Sequence, residues 1–346
     1  MPSLQEIRSV SMQALCRAGV SSGHAETQLS LLLEAELRGV PSHGLLRLPR
    51  IIERIGNGAT DPSTCGAGHW RGNALWQVDG RQGLGPVVAV EALRTICGKA
   101  NDSGVAMAAV RNCDHLGMLA WYAEHVAAQG QILIALTISE ALVHPWGGRQ
   151  ALLGTNPIAI GVPGADAPFV FDMATSLVSM GKIHDHASRD LPIPLDWALD
   201  AQGNPTVDPN AAKSGSIAPF GGAKGYGLGL AFELLVASLA GSAIGRDVKG
   251  TLDSTELCNK GDVFIVMEPL ADTGSLVSRY LEAIRQSPAA DPATPVRVPG
   301  DRALKTRKER MDKNISLAAE VWEKIQQLAQ HGPAPCRTTQ EKIYEA

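Results

Sequence analysis

The residues best suited to chemistry in this chain fall into five short polar clusters, each at a junction where an apolar run gives way to turn residues. The first is Arg38-Gly39-Val40-Pro41-Ser42-His43-Gly44, continuing to Arg47. A histidine exchanges a proton near neutral pH, and a guanidinium grips a carboxylate through paired N–H bonds. The pattern predicts Ser42 as the N-cap of a helix whose first turn, with its free backbone N–H groups, favours an anion. The same residues also read as a capping serine beside a surface histidine and arginine. The second cluster, Arg111-Asn112-Cys113-Asp114-His115-Leu116-Gly117, is a strand end turning into a helix near Met118. The third joins Pro145-Trp146-Gly147-Gly148 to Gly154-Thr155-Asn156-Pro157, and the fourth runs Phe171-Asp172-Met173-Ala174-Thr175-Ser176, followed by Gly181-Lys182. The fifth, Phe220-Gly221-Gly222-Ala223-Lys224-Gly225-Tyr226-Gly227, opens a long apolar segment and suits a phosphate cradle. Taken singly, each cluster reads as readily as a turn.

The standard signatures are missing. Gly80-Arg-Gln-Gly83-Leu-Gly85 and Gly225-Tyr-Gly227-Leu-Gly229 have the wrong spacing for a dinucleotide fingerprint. Lys224 follows Ala223 rather than the glycine of a P-loop, and neither GxSxG nor HExxH occurs. Six cysteines, at 16, 65, 97, 113, 258 and 336, show no zinc-like spacing, so no metal site is expected and reduced thiols in the cytoplasm are. The N-terminus lacks the basic and apolar regions of a signal peptide. A net charge of −4, from 31 Lys plus Arg against 35 Asp plus Glu, argues against a general nucleic-acid binder.

The elements that must position these clusters follow from periodicity. Leu4, Ile7, Val10 and Leu15 mark a first helix; a second spans about 24–38 with Leu29, Leu32 and Leu33 on one side. A third follows Ser42 and ends at Gly56-Asn57-Gly58. Short apolar runs at 74–78, 105–110, 131–138, 158–162, 168–172 and 262–267 read as strands, with helices at 87–99 and 117–129 between the first three. The stretch 184–223 reads as mostly loop, and helices near 273–286 and 314–330 close the chain around a Pro-rich linker at 288–299. Residues 225–245 carry Glu233 as their sole charge; a buried helix of a soluble protein is favoured over a membrane span. These 346 residues, 45% apolar and 19% charged, suggest two domains of α/β (α+β) class. A sheet domain at 73–287 is inserted in a discontinuous helical one formed by 1–72 and 288–346.

The ordered series SHG-x-x-R at 42–47, N-x-x-H-x-G at 112–117, GTNP at 154–157, DMATS at 172–176 and GGAKGYGL at 221–228 resembles the malate/L-lactate dehydrogenase family. That family is distinct from the Rossmann-type lactate and malate dehydrogenases. Ureidoglycolate dehydrogenase, 2,3-diketogulonate reductase and piperideine-carboxylate reductase belong to it. The resemblance implies a non-Rossmann nucleotide-binding domain, an intertwined homodimer, and NAD(P)-dependent hydride transfer on a small 2-hydroxy or 2-oxo acid. It implies that His43 and His115 lie near the substrate carbonyl and nicotinamide, with His43 favoured as the proton carrier. Arg47 would hold the substrate carboxylate, with Ser42, Thr155 and Asn156 nearby. Ser139, Asp172, Met173, Ala174, Lys224, Gly225, Gly300, Asp301 and Arg302 would line the cofactor. Asp301 against a ribose 2′-hydroxyl favours NAD over NADP, while Arg302, Lys305 and Arg307 could reverse that. Departures from the family pattern are Ile51 in place of an aromatic, Cys113-Asp114 before the second histidine, and Asp301 where Glu is commoner. A cyclic-imine reductase and a non-catalytic binding protein remain the alternatives.

Overall fold

The computed structural model describes residues 2–332 apart from 312, 314 and 316; Cys336 lies outside the described residues. Three helices come first: α1 (Leu4–Arg17), α2 (Ser22–Leu37) and α3 (Leu48–Gly56). Ser3 and Ser21 cap the first two through their side-chain oxygens. Between α2 and α3 the chain makes two 3₁₀ turns, Pro41–His43 and Leu45–Arg47. The expected Ser42 cap is therefore not formed. Pro49, in the first turn of α3, starts that helix later, and Arg47 stands at its N-cap without a side-chain bond.

The central part contains β1 (Ala67–Arg71), β2 (Leu75–Gly83), α4 (Gly85–Ser103), β3 (Val105–Cys113), α5 (Leu119–Ala128) and β4 (Ile132–Thr137). It continues through β5 (Ile158–Val162), β6 (Phe169–Met173), α6 (Met180–Ser188), β7 (Ala198–Leu199), α7 (Pro209–Lys213), β8 (Ser216–Ile217), α8 (Ala223–Ala240) and β9 (Gly261–Met267). Last come α9 (Gly274–Arg285), α10 (Asp301–Met311) and α11 (Ala319–His331).

Seven strands form one mixed sheet in the order β1-β2-β3-β9-β4-β5-β6. Only β2 and β3 pair in parallel, joined by α4; the other pairs are antiparallel. The late strand β9 inserts between β3 and β4, so those two do not touch despite the α5 crossover. A single apolar core joins α1 to α5 with one face of the sheet, and α11 packs on α1 and α3. On the other face, Val236 and Phe232 of α8 meet Ala109, Leu136 and Val263.

The stretch 184–223 holds more regular structure than expected, because α6, α7 and a two-stranded β7–β8 ribbon fall within or across it. Helix α10 also lies where no element is predicted. The segment expected as a buried helix is α8, yet only Gly225, Gly229, Glu233, Val236 and Ala237 are buried. Its outward side, with Leu228, Ala231, Leu234 and Leu235, faces solvent. Helix α8 is long and apolar enough to cross a membrane by length and composition.

Candidate active site

A cavity of about 1000 Å³ opens between the α2–α3 segment, the end of β3, the β5–β6 edge and the α9–α10 wall. Its size is at the upper end of ligand sites. Two clusters from distant parts of the sequence meet on its wall. The His43 and His115 rings stand 5.4 Å apart, centroid to centroid, tilted by 43°. His43 Nδ1 lies 2.9 Å from Ser42 Oγ. His115 Nδ1 accepts from the Gly117 N–H at 2.8 Å, so in the neutral ring the proton sits on Nε2. Gly117 has φ +76°, and a Cβ there would lie 2.1 Å from Leu31 Cδ2. Only glycine allows the turn that aims His115.

Arg47 donates from Nε to the Ser42 carbonyl at 2.7 Å, which folds the first cluster around its own backbone. Its terminal nitrogens have no protein acceptor among the described residues. Burial, and then the positive charge of Arg47, push the His43 pKa down to about 3; His115 is lowered for the same reasons, with His43 adding to them. Both imidazoles are neutral at pH 7. A carboxylate docked on Arg47 would cancel much of that positive field and raise the proton affinity of the adjacent rings.

A buried carboxylate holds this segment in place. Glu36 of α2 accepts from the Leu45 N–H at 2.8 Å, and a Cβ on Gly44 would strike its Oε1 at 2.2 Å. Desolvation raises the Glu36 pKa to about 7, against the lowering by the Leu45 N–H and then by Arg310. Sequence reasoning missed Glu36. The available signal was its place on the apolar face of α2, in line with Leu29, Leu32 and Leu33, where a lone charge calls for a partner. It also missed the buried Lys260–Asp262 pair on β9 and its approach. Asp262 accepts from Lys260 and Thr137, and from Cys113 Sγ at 3.1 Å, which pins the end of β3 just before His115. Asp114 is likewise held by Arg54 and Thr60.

Of the residues expected to face a cofactor, Ser139, Asp172, Met173, Ala174, Gly300, Asp301 and Arg302 line the cavity, as does Thr155. Thr155 is fixed by its N–H to Ser139 Oγ at 3.0 Å and by Thr175 Oγ1 to its carbonyl at 2.9 Å. Asp172 opens onto the cavity solvent while accepting from Ala120 N–H at the start of α5. Desolvation by the cavity wall raises its pKa to about 6, the Ala120 bond opposing. Asp301 accepts from Arg285 through two nitrogens at 2.9 and 3.1 Å, which keeps its carboxyl below the usual range.

Three expected site residues lie outside this cavity. Asn156 is fully buried, its carboxamide bound to the Gly229 carbonyl and Glu233. Glu233 also accepts from the Gly154 and Gly245 N–H groups, so the one carboxylate in α8 anchors the GTNP turn. Gly225 packs against the Phe220 carbonyl, and Lys224 is exposed at the start of α8.

The family model for malate/L-lactate dehydrogenase matches residues 3–326. The chain belongs to that family. A malate/(S)-sulfolactate dehydrogenase of Methanothermus fervidus is 33% identical over 330 residues, covering 94% of this chain and 96% of its own. A delta(1)-pyrroline-2-carboxylate reductase of Burkholderia ambifaria is 30% identical, covering 93% and 96%. The solved structure of a dehydrogenase from Sinorhizobium meliloti superposes with a TM-score of 0.90 at 50% identity, covering 93% of this chain and 96% of that one. The malate/L-lactate dehydrogenase family carries out nicotinamide-dependent oxidoreduction of small hydroxy and oxo acids, and this explains a nucleotide-sized cavity without a Rossmann fingerprint.

Proposed function

We propose that this dehydrogenase interconverts a small 2-hydroxy acid and its 2-oxo acid at the His43–His115–Arg47 corner of the cavity. The observation that carries this reading is the pair of neutral imidazoles beside a guanidinium with unspent N–H groups. The cavity fits a dinucleotide. It has the volume, a turn at Gly300 (φ +94°) that brings backbone to the wall, and two arginines, Arg279 and Arg302, suited to phosphate. Ser139, Asp172 to Ala174 and Gly300 to Arg302 would hold it. When bound, the nicotinamide supplies or accepts the hydride.

The chain does the rest. Arg47 orients the acid by its carboxylate, which sets the distance and face of the reacting carbon. His43 Nε2 gives the proton to the carbonyl oxygen in reduction and takes it from the hydroxyl in oxidation, with His115 Nε2 bonding the same oxygen. Asp301, kept ionised by Arg285, favours NAD: it would repel a 2′-phosphate, and it neutralises the nearest arginine.

The outward stripe of α8, Leu228, Ala231, Leu234 and Leu235 at helical spacing, supports a homodimer through this face. The five thiols of the described residues are unpaired, which supports a reducing cytoplasmic setting.

Loss of absorbance at 340 nm tests the reading, with NADH and NADPH against a panel of 2-oxo acids and cyclic imine carboxylates. Turnover of 2-oxo acids with higher kcat/KM for NADH is expected. Turnover of cyclic imines alone would move the substrate to C=N. A tenfold preference for NADPH would show that the arginines outweigh Asp301.

A further inference from the structure

Between α8 and β9 the chain makes a loop at 249–259 whose ends meet. The Lys249 N–H donates to Asn259 Oδ1 at 2.8 Å, and the Asn259 N–H to the Lys249 carbonyl at 3.4 Å. The loop stands beside the substrate corner. Gly250 and Thr251 share a small recess with Arg47 and His115, and Thr251 and Leu252 line the main cavity. Apolar packing does not hold it there, since no residue from Leu252 to Leu257 is buried. Two charged side chains do. Glu140, just past the end of β4, accepts with Oε1 from the Thr251 N–H at 2.7 Å, the Thr251 hydroxyl at 3.1 Å and the Leu252 N–H at 2.9 Å. Buried Arg54 donates from Nη1 to the carbonyls of Asp253 and Glu256 at 3.0 and 3.1 Å. The same guanidinium binds Asp114, the residue before His115. Bonds to ionised groups are roughly twice as strong as neutral ones, so the loop is strapped to the site from both sides. What the strap presents to the cavity is an apolar side chain, Leu252, left 37% exposed.

We propose that Leu252 meets the substituent on the acid's reacting carbon and limits its length, with Glu140 as the positioning residue that keeps Leu252 in place. Glu140 acts through the loop and touches neither acid nor cofactor. The proposal rests on the 2-oxo-acid reading above and adds the residue that selects among such acids by size.

The test compares kcat/KM for pyruvate and 2-oxohexanoate, which differ by three methylenes. The parent should favour pyruvate, and Leu252→Ala should shift the ratio towards the longer acid by about tenfold or more. Leu252 is exposed, so the variant folds. Glu140→Ala should raise KM for pyruvate by about tenfold and leave the Kd of NADH unchanged. In the double variant it should erase the effect of Leu252→Ala, because a released side chain no longer limits the acid. Glu140→Gln keeps an oxygen acceptor and should restore part of the KM. A ratio unmoved by Leu252→Ala, additive effects in the double variant, or an NADH Kd that rises with KM overturns the proposal. Amide hydrogen exchange separates the strap from the reaction itself: Thr251 and Leu252 should exchange at least about tenfold faster in Glu140→Ala than in the parent. That result supports the strap even if no 2-oxo acid turns over, an outcome that would sink the reaction reading alone. Unchanged exchange in a protein that reduces pyruvate sinks the strap alone.

Discussion

At the scale of single residues, the site depends on two histidines that the fold keeps neutral. Both pKa values are depressed, that of His43 to about 3, first by burial and then by Arg47. The sign follows directly. Below the depressed pKa the rings are cationic; above it, through the neutral range, they are neutral bases whose one remaining N–H is too weakly acidic to be transferred. Oxidation needs the neutral base, so kcat/KM for the hydroxy acid should stay level between about pH 6 and 8 as far as this group is concerned. Reduction needs the protonated ring, so kcat/KM for the oxo acid should fall about tenfold per pH unit over the same range. His43→Ala should lower kcat by about 10²–10⁴ and remove that slope, with cofactor still bound. His115→Ala should leave the slope in place. If the slope follows His115 instead, the roles of the two rings are exchanged. Nothing in the bare sequence separates these assignments, since both histidines end up on one wall and only the Ser42 and Gly117 contacts distinguish their nitrogens.

At the scale of elements, α2 is more than a packing helix, because Glu36 at its C-terminal end ties down the turn that carries His43 and Arg47. Its pKa, raised from 4.5 to about 7, makes the folded protein bind an extra proton relative to the unfolded chain between those values. The contribution of Glu36 to stability is therefore greatest below pH 4.5, declines as pH rises to about 7, and is level above. At 1.36 kcal/mol per unit the decline is up to about 3 kcal/mol. Glu36→Gln keeps an acceptor for Leu45 and removes the titration. Chemical denaturation at pH 5 and pH 8 should show the variant losing less stability than the parent over that interval; an equal loss would mean Glu36 is already ionised at pH 5.

Much of the architecture was legible from periodicity. Six of the seven strands of the main sheet, all but β1, and most long helices fall where apolar spacing puts them, because half-buried strands and amphipathic helices must show their period. Pairing was not legible: β9 finds its place between β3 and β4 through contacts far apart in sequence, which no local pattern encodes. Ser42 shows how a strong local signal is overridden. It has the chemistry of a cap, but Gly44 and Pro49 move the helix start, and its hydroxyl turns to His43 instead. Glu233 was read as an argument against a membrane span; its structural role is to bind the GTNP turn, a partner eighty residues away in sequence at most.

At the scale of the whole molecule, α8 presents an apolar stripe to solvent, and the cofactor-motif residue Lys224 lies at the start of the same helix. Leu235→Glu, placed in that stripe, should convert the proposed dimer to monomer in sedimentation or light scattering without loss of secondary structure. A parent that is monomeric at micromolar concentration would contradict the interface. The central claim is that one cavity brings a nicotinamide hydride to C2 of an acid positioned by Arg47. The most direct measurement is the fate of an isotopic label, with NADH deuterated at C4 on each face in turn, the 2-oxo acid turned over fastest, and mass analysis of the product. The account predicts deuterium at C2 of the hydroxy acid from one face only. Unlabelled product with both cofactors would contradict it.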